Sequence, residues 1–398
     1  MVAYTFYERD NRVMRYAETL AKRGDQVDVM SLRLSGLQEA GIRNGVRVLH
    51  LQERTVNERN QISYLIRVSM FFLRAMIRVS INHIRKPYQF VHVHSVPDFL
   101  VFTVWLPRLM GAKIILDIHD PLPEFYADKF HCSKESRIFK VMVWIERVSC
   151  AFAHHVILPN HIWLKRVQSR SVTPSKSTVV LNYPDPSIFY RRGRSRHDDR
   201  FMMMYPGTLG AHQGLDVAIR ALAKVKDVIP QADFHIYGTG KTLEDLIKLM
   251  NELGLEDRVF FYPLKPIWEI AQVMENADLA VVPKRDDSFG NEAFSTKTLE
   301  FMAVGVPLLI SDTAVDRYYF NARIVTFARG GDENDFAAKM VQLFRDAEAR
   351  RKQVENANEF IKQNTWDVKK SEYLNLVDSL TGLIIPEPTK PRQELVVR

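Results

Sequence analysis

Asn291-Glu292-Ala293-Phe294-Ser295-Thr296-Lys297-Thr298-Leu299-Glu300-Phe301-Met302-Ala303-Val304-Gly305-Val306-Pro307 makes the rest of the chain readable. Thr296 to Val304 has the composition of a short helix, Gly305 stops it, and Leu308 to Ser311 follows as an apolar strand. Ser295 or Thr296 is placed to cap the helix. Glu292 falls in the loop before it and Glu300 about one turn inside it. The amides and positive dipole end at such an N-terminus suit a phosphate, with Lys297 in the first turn. Glu300 is then placed to accept hydrogen bonds from a ribose diol, and Glu292 to reach sugar hydroxyls beyond the phosphates. The same residues also read as a solvated loop charge and a helix-face charge, because two glutamates at this spacing are common.

Upstream, the same alternation repeats. Phe201 to Tyr205, Asp233 to Tyr237, Val259 to Tyr262 and Leu279 to Pro283 read as strands. Helical stretches at Gly214 to Val228, Leu243 to Leu253 and Ile267 to Asn276 separate them. Residues 191–200 are polar and highly charged and are predicted as a linker. Before them a second series begins. It comprises Val2 to Tyr7, a helix capped by Asp10 and stopped at Gly24, then Gln26 to Ser31, Phe90 to His94, Lys113 to Ile118, His155 to Leu158 and Thr178 to Leu181. Strands alternating with helices predict mainly parallel sheets covered on both faces. The expected organisation is an N-terminal Rossmann-like domain over 1–190, the linker, a second Rossmann-like domain over 201–365, and a C-terminal helix with tail over 366–398. That last helix is expected to pack back toward the first domain. Ligands of such sheets bind beyond the carboxyl ends of the strands, which directs attention to residues just after them.

The chain has 398 residues, 46% hydrophobic and 26% charged, which excludes disordered and fibrous classes. Cys132 and Cys150 are too few for a disulfide framework or a thiolate zinc site, so a reducing, cytoplasmic setting is expected. The N-terminus lacks the pattern of a signal peptide, and no run of about 20 apolar residues predicts a membrane span. A net charge of +8 favours an anionic partner without choosing one.

The motif Glu-x7-Glu followed by Phe-Met-Ala-x-Gly-x-Pro resembles the signature of retaining GT-B glycosyltransferases, glycosyltransferase family 4 in particular. Gly207-Thr208-Leu209, Gly214-Leu215-Asp216, Ile236-Tyr237-Gly238-Thr239-Gly240 and Ala277-Asp278-Leu279 resemble that family's donor-domain landmarks. Val91-His92-Val93-His94-Ser95, Leu116-Asp117-Ile118-His119-Asp120 and Asn182-Tyr183-Pro184-Asp185 resemble its first-domain segments. The resemblance implies an α/β GT-B fold, two Rossmann-like domains facing across a cleft. It implies a nucleoside-diphosphate sugar as donor, a glycan or lipid-linked acceptor, retention at the anomeric carbon, and no cofactor or metal. Donor-side residues would be Gly207, Thr208, Arg285, Ser295, Thr296, Lys297 and Glu300, with Glu292 and His119 in the catalytic set.

The sequence also departs from the family. The usual Arg after the first glycine and Lys before the later one are replaced by Thr208 and Gln213, which leaves Lys297, Arg285 and Lys284 as candidates for the diphosphate's countercharge. Lys297 is the first choice because it rides on the phosphate-binding helix. The usual Gly-Gly loop is replaced by Tyr7 to Val13, where Arg9 and Arg12 either face the cleft or are solvated. His119 ends a strand and is placed by the resemblance near the donor sugar; His94 and Glu124 are weaker acceptor-side candidates. His154-His155 lacks a ligand partner at metal spacing. Arg67, Arg74, Arg78 and Arg85 share one helical face within 63–86, which suits either an anionic membrane surface or an ordinary wet helix face. Competing functions are a sugar-nucleotide epimerase of the same fold and a basic nucleic-acid binder. No nucleic-acid motif supports the latter.

Overall fold

The computed structural model describes residues 1–36, 38–54, 61–130, 133–286 and 289–382. The tail beyond residue 382 and Cys132 lie outside the described residues. Among the described residues the chain divides into two units, one comprising Met1–Leu181 with 370–382, the other Asn182–Lys369.

In the first unit the strands are β1 Val2–Phe6, β2 Val27–Arg33, β3 Ala40–Arg43, β4 Val46–Glu53, β5 Phe90–His94, β6 Lys113–Asp117, β7 His155–Leu158 and β8 Ser177–Val179. They form one sheet in the order β3-β4-β2-β1-β5-β6-β7-β8. All neighbours run parallel except β3, which is antiparallel to β4. The β3–β4 hairpin turns on Asn44 and Gly45, both at positive φ, as a tight primed turn requires. The helices are α1 Asn11–Arg23, α2 Gln61–Arg85, α3 Trp105–Leu109, α4 Leu122–Phe130, α5 Arg137–Phe152 and α6 His161–Gln168. A 3₁₀ stretch, Asp98–Val104, leads into α3. Asp10 caps α1 by accepting from the amides of Arg12 and Val13, and Gly24 ends it in the left-handed region.

Alternation along β5 separates the two faces of this sheet. Val91 and Val93 join Val68, Phe71, Ala75 and Val79 of α2, Leu100 to Val104 and Cys150 of α5 in one apolar core. His92 and His94 alternate with those valines and meet Tyr16 of α1.

The second unit contains β9 Phe201–Pro206, β10 Ala232–Tyr237, β11 Val259–Tyr262, β12 Leu279–Val282, β13 Leu308–Ser311 and β14 Thr326–Ala328, all parallel, in the order β11-β10-β9-β12-β13-β14. Strands β9, β12 and β13 are buried along their whole length, as a sheet covered on both faces demands. Its helices are α7 Leu215–Val225, α8 Leu243–Glu252, α9 Ile267–Glu275, α10 Thr296–Val304, α11 Ala314–Tyr319, α12 Glu333–Arg345 and α13 Ala347–Lys362. α14, Trp366–Thr381, begins in the second unit and ends in the first. Its Tyr373 is fully buried, 4.2 Å from the Tyr16 ring, with its hydroxyl 3.1 Å from Nδ1 of His92.

The division at Leu181/Asn182 falls ahead of the composition-based linker at 191–200. That charged stretch is fastened to the second unit: Arg194 and Arg196 pair with Asp278, and the amides of Arg192 and Gly193 donate to Glu275. No helix among the described residues is long and apolar enough to cross a membrane.

Candidate active site

Three loops leave the carboxyl ends of β9, β10 and β12, which lie side by side in the second sheet. They approach so closely that glycine is required. A Cβ at Gly238 would stand 1.8 Å from the Gly207 carbonyl oxygen, and one at Gly240 2.0 Å from that of Leu209. Backbone hydrogen bonds join the same loops: the Gly207 amide donates to Tyr237, that of Leu209 to Thr239 and that of Arg285 to His212.

Lys297, in the first turn of α10, reaches over this floor. Its ammonium lies 4.9 Å from the centre of the Tyr205 ring, and a Cβ at Gly207 would collide with its Cε at 2.4 Å. Burial pulls its pKa down to about 8, with Glu300 opposing the shift and Lys284 adding to it. No ion pair among the described residues uses Lys297. The other two cations proposed for the diphosphate are committed. Arg285 is paired with Asp216 in the first turn of α7. Lys284 is almost wholly buried; it donates to Asp316 at 2.7 Å, to the Ala293 carbonyl at 2.7 Å and to Thr313 at 3.4 Å. Lys284 is therefore a tie for the Glu292 loop, not a free charge. Asn291 adds a second tie, accepting from the amides of Ala314 and Val315.

Ser295 occupies the N-cap position of α10 in an extended conformation, but its side chain accepts no hydrogen bond from the helix. The expected Ser295 cap is thus absent, and among the described residues the buried Ser295 hydroxyl has no hydrogen-bond partner, nor does that of Thr298. Thr296, Glu292 and Glu300 are partly buried beside them. The missing Arg and Lys of the family are matched by an uncharged arrangement: the Tyr205 hydroxyl bonds the Thr208 carbonyl and Gln213, and Gln213 meets His212.

In the first unit the ends of β5 and β6 bring His94, Asp117 and His119 together. Arg12, expected to be at a cleft or in solvent, is instead buried, its guanidinium gripping both Asp117 oxygens at 2.7 Å and donating to the Val180 carbonyl at 2.7 Å. Burial favours a protonated Asp117, but the Arg12 charge and the two histidines hold it well below the ordinary carboxylate range. His119 Nε2 lies 3.4 Å from Asp117 and 3.1 Å from His94 Nδ1. Burial opposes charging of His119, yet its bond to Asp117 raises its pKa above 6.5. His94 is pulled down to about 4 by burial and stays neutral at pH 7. Only His119 of this group retains appreciable exposure, 21% of its side chain.

His92, His94 and Asp117 lie close enough to suggest a metal cage. Their chemistry does not fit one, since Arg12 already places a fixed positive charge on both Asp117 oxygens and Tyr373 faces His92. His94, 1% exposed, is hydrogen-bonded to Asp117 and His119. Glu124 is likewise buried and held on both oxygens by Arg170 at 2.6 and 2.8 Å. His154 accepts from the Ile114 amide, an ordinary structural contact. Sequence reading missed Arg12, Asp117 and Lys284 as organisers. An arginine in the first turn of α1 and an aspartate ending a buried strand were the available signals.

Residues 10–183 match a model of the Glycosyl transferase 4-like domain, and residues 188–360 match Glycosyl transferases group 1. An uncharacterized glycosyltransferase of Methanocaldococcus jannaschii is 25% identical over 315 residues, 74% of each chain. Several other curated relatives are matched over only about half of their length. Among solved structures, sucrose-phosphate synthase from Thermosynechococcus elongatus superposes with a TM-score of 0.80 at 15% identity, covering 96% of this chain and 99% of that one. The Anabaena protein HepE, solved with UDP-glucose, gives 0.71 at 14% identity, covering 94% and 98%. At these identities the superpositions establish the fold.

Proposed function

The chain is a glycosyltransferase of GT-B fold whose halves resemble family 4 domains, and from that premise we propose that it moves a sugar from a nucleoside-diphosphate sugar to a glycan or lipid-linked acceptor with retention of anomeric configuration. The supporting observation is the N-terminus of α10. There an ammonium and a buried Ser295 hydroxyl, neither paired among the described residues, adjoin the first-turn amides above a floor walled by glycines. Such a site offers positive charge and donors to a diphosphate. That HepE was solved with UDP-glucose supports the donor class.

In this reading Lys297, Ser295, Thr296 and the Thr208 amide that follows Gly207 hold the diphosphate. Glu300 accepts from the ribose diol and Glu292 from sugar hydroxyls. His119 contacts the sugar near the reacting carbon, positioned by Arg12, Asp117 and His94. The bond between the anomeric carbon and the phosphate oxygen breaks as the acceptor oxygen bonds to the same face of that carbon, and the acceptor's proton passes to the leaving phosphate. Charge stabilisation and alignment carry the catalysis, with no side-chain nucleophile and no metal. The acceptor roles first considered for Glu124 and His94 are not retained.

Lys297→Ala tests the site by calorimetry with nucleoside diphosphates and the matching nucleosides. Loss of one charge-assisted contact, about 1.5–3 kcal/mol, predicts a roughly ten- to hundredfold weaker diphosphate with the nucleoside unchanged. Equal diphosphate affinity in both proteins refutes the assignment. The anomeric configuration of the product, read by NMR, tests retention.

A further inference from the structure

The outer face of α2 is apolar, although α2 already buries Val68, Phe71, Ala75 and Val79 on its inner face. Ile66, Met70, Leu73, Ile77, Ile81 and Ile84 fall on one stripe directly opposite that inner face, and all are exposed, Ile84 to 63%. Arg67, Arg74, Arg78 and Arg85 line one flank, about a quarter turn away, and α2 contains no acidic residue. On its other flank Phe72 packs on Phe99 of the 3₁₀ stretch that leads into α3. There Trp105, Leu109 and Met110 continue the exposed apolar surface, Leu109 at 71%. Beyond it, α5 belongs to the same helical layer and exposes Ile138, Val141 and Trp144, the last at 61%.

α5 supplies the same charge. Arg137, Lys140 and Arg147 are exposed, whereas its one acid, Glu146, is buried against Arg170. A groove of about 380 Å³ lies there, lined by Lys134, Lys140, Trp144, Arg147 and Arg170 among others. An ordinary wet helix face would carry polar residues where α2 carries its stripe. A protein partner needs no one-signed charge around an apolar centre. Aliphatic and tryptophan side chains rimmed by arginine and lysine are instead the composition that enters the headgroup and acyl boundary of an anionic bilayer.

We propose that the face formed by α2, α3 and α5 docks the first unit on an anionic phospholipid membrane. The apolar stripe and the two tryptophans insert, and the α5 groove receives a lipid phosphate. The inference widens the membrane reading of 63–86 and deepens the lipid-linked acceptor side of the proposed function, on which it rests.

The full chain is to be sedimented with vesicles of phosphatidylglycerol and phosphatidylcholine, and with vesicles of phosphatidylcholine alone. Binding is expected to the mixed vesicles and to be weakened by salt. Leu73→Ser/Ile77→Ser and Arg78→Glu/Arg85→Glu, all at exposed positions, should each weaken it about tenfold or more. A blue shift of tryptophan emission on binding should shrink in Trp144→Ser. Absence of binding to the mixed vesicles, or binding unaffected by both double variants, overturns the proposal. So does a concentration-dependent dimer abolished by Leu73→Ser/Ile77→Ser, which would assign the face to a second copy. Nucleoside-diphosphate affinity, measured on the same variants, should not change. Membrane binding without nucleotide binding would refute the donor site alone, and nucleotide binding without membrane binding the docking face alone.

Discussion

Lys284→Met separates the structural cation of the donor half from the functional one. Methionine keeps most of the lysine stem but removes the ammonium that meets Asp316 and the Ala293 carbonyl, each at 2.7 Å. Both members of the pair are nearly inaccessible, so the variant leaves a carboxylate buried with the Thr313 hydroxyl in place of its counterion. Breaking such a pair costs about 3–5 kcal/mol. For a unit of this size that is a fall in melting temperature of roughly 6–20 °C. The double variant Lys284→Met/Asp316→Leu removes both charges and should recover most of the loss. Thermal unfolding of the full chain, followed by calorimetry to resolve the two units, measures this. Because the Ala293 carbonyl is released beside Glu292, affinity for the sugar nucleotide should fall more than affinity for the nucleoside diphosphate. A single variant melting within about 2 °C of the parent would refute the tie.

Lys297 should behave in the opposite way, with its melting unchanged on substitution by alanine. Its pKa near 8 predicts that diphosphate affinity, measured by titration calorimetry, declines as pH rises through that value, while nucleoside affinity does not. Asp117→Asn leaves the buried Arg12 guanidinium without its counterion and should cost about 3–5 kcal/mol in denaturant unfolding. The raised pKa of His119 means that its contribution to stability is complete below the unfolded value of 6.5 and is lost as pH rises through the folded one. His119→Ala should accordingly flatten that decline in a pH series of melts and lower turnover. Sugar transfer should survive exhaustive chelation; loss with EDTA and recovery with magnesium would contradict the metal-free reading.

The sequence pattern located α10 and β13 at their observed ends, because each is bounded by a glycine or proline and carries an unbroken apolar face. It passed over the β3–β4 hairpin, even though Asn44-Gly45 is a strong turn signal, because Ala40 to Arg43 is exposed on every residue and shows no alternation. Partnerships were less legible than elements. The sequence ranks Lys297 ahead of Lys284 and Arg285 by its helix, but only the fold brings Asp316 and Asp216 to the other two. The sequence leaves Arg12 between the cleft and solvent because Asp117, its partner, lies 105 residues away. For 63–86 the sequence shows the shared arginine face, but periodicity alone does not say that the helix is apolar on both its inner and outer faces.

Tyr373 gives the chain an order of assembly. The pocket made by Tyr16 and His92 receives its last wall from a residue that emerges from the ribosome after the whole of Asn182–Lys369. The second unit can therefore be complete while Tyr16 and His92 still lack the Tyr373 ring. Domains usually mature in the order in which they are made. Here the half that is translated first is finished last, when Tyr373 closes on Tyr16 and His92.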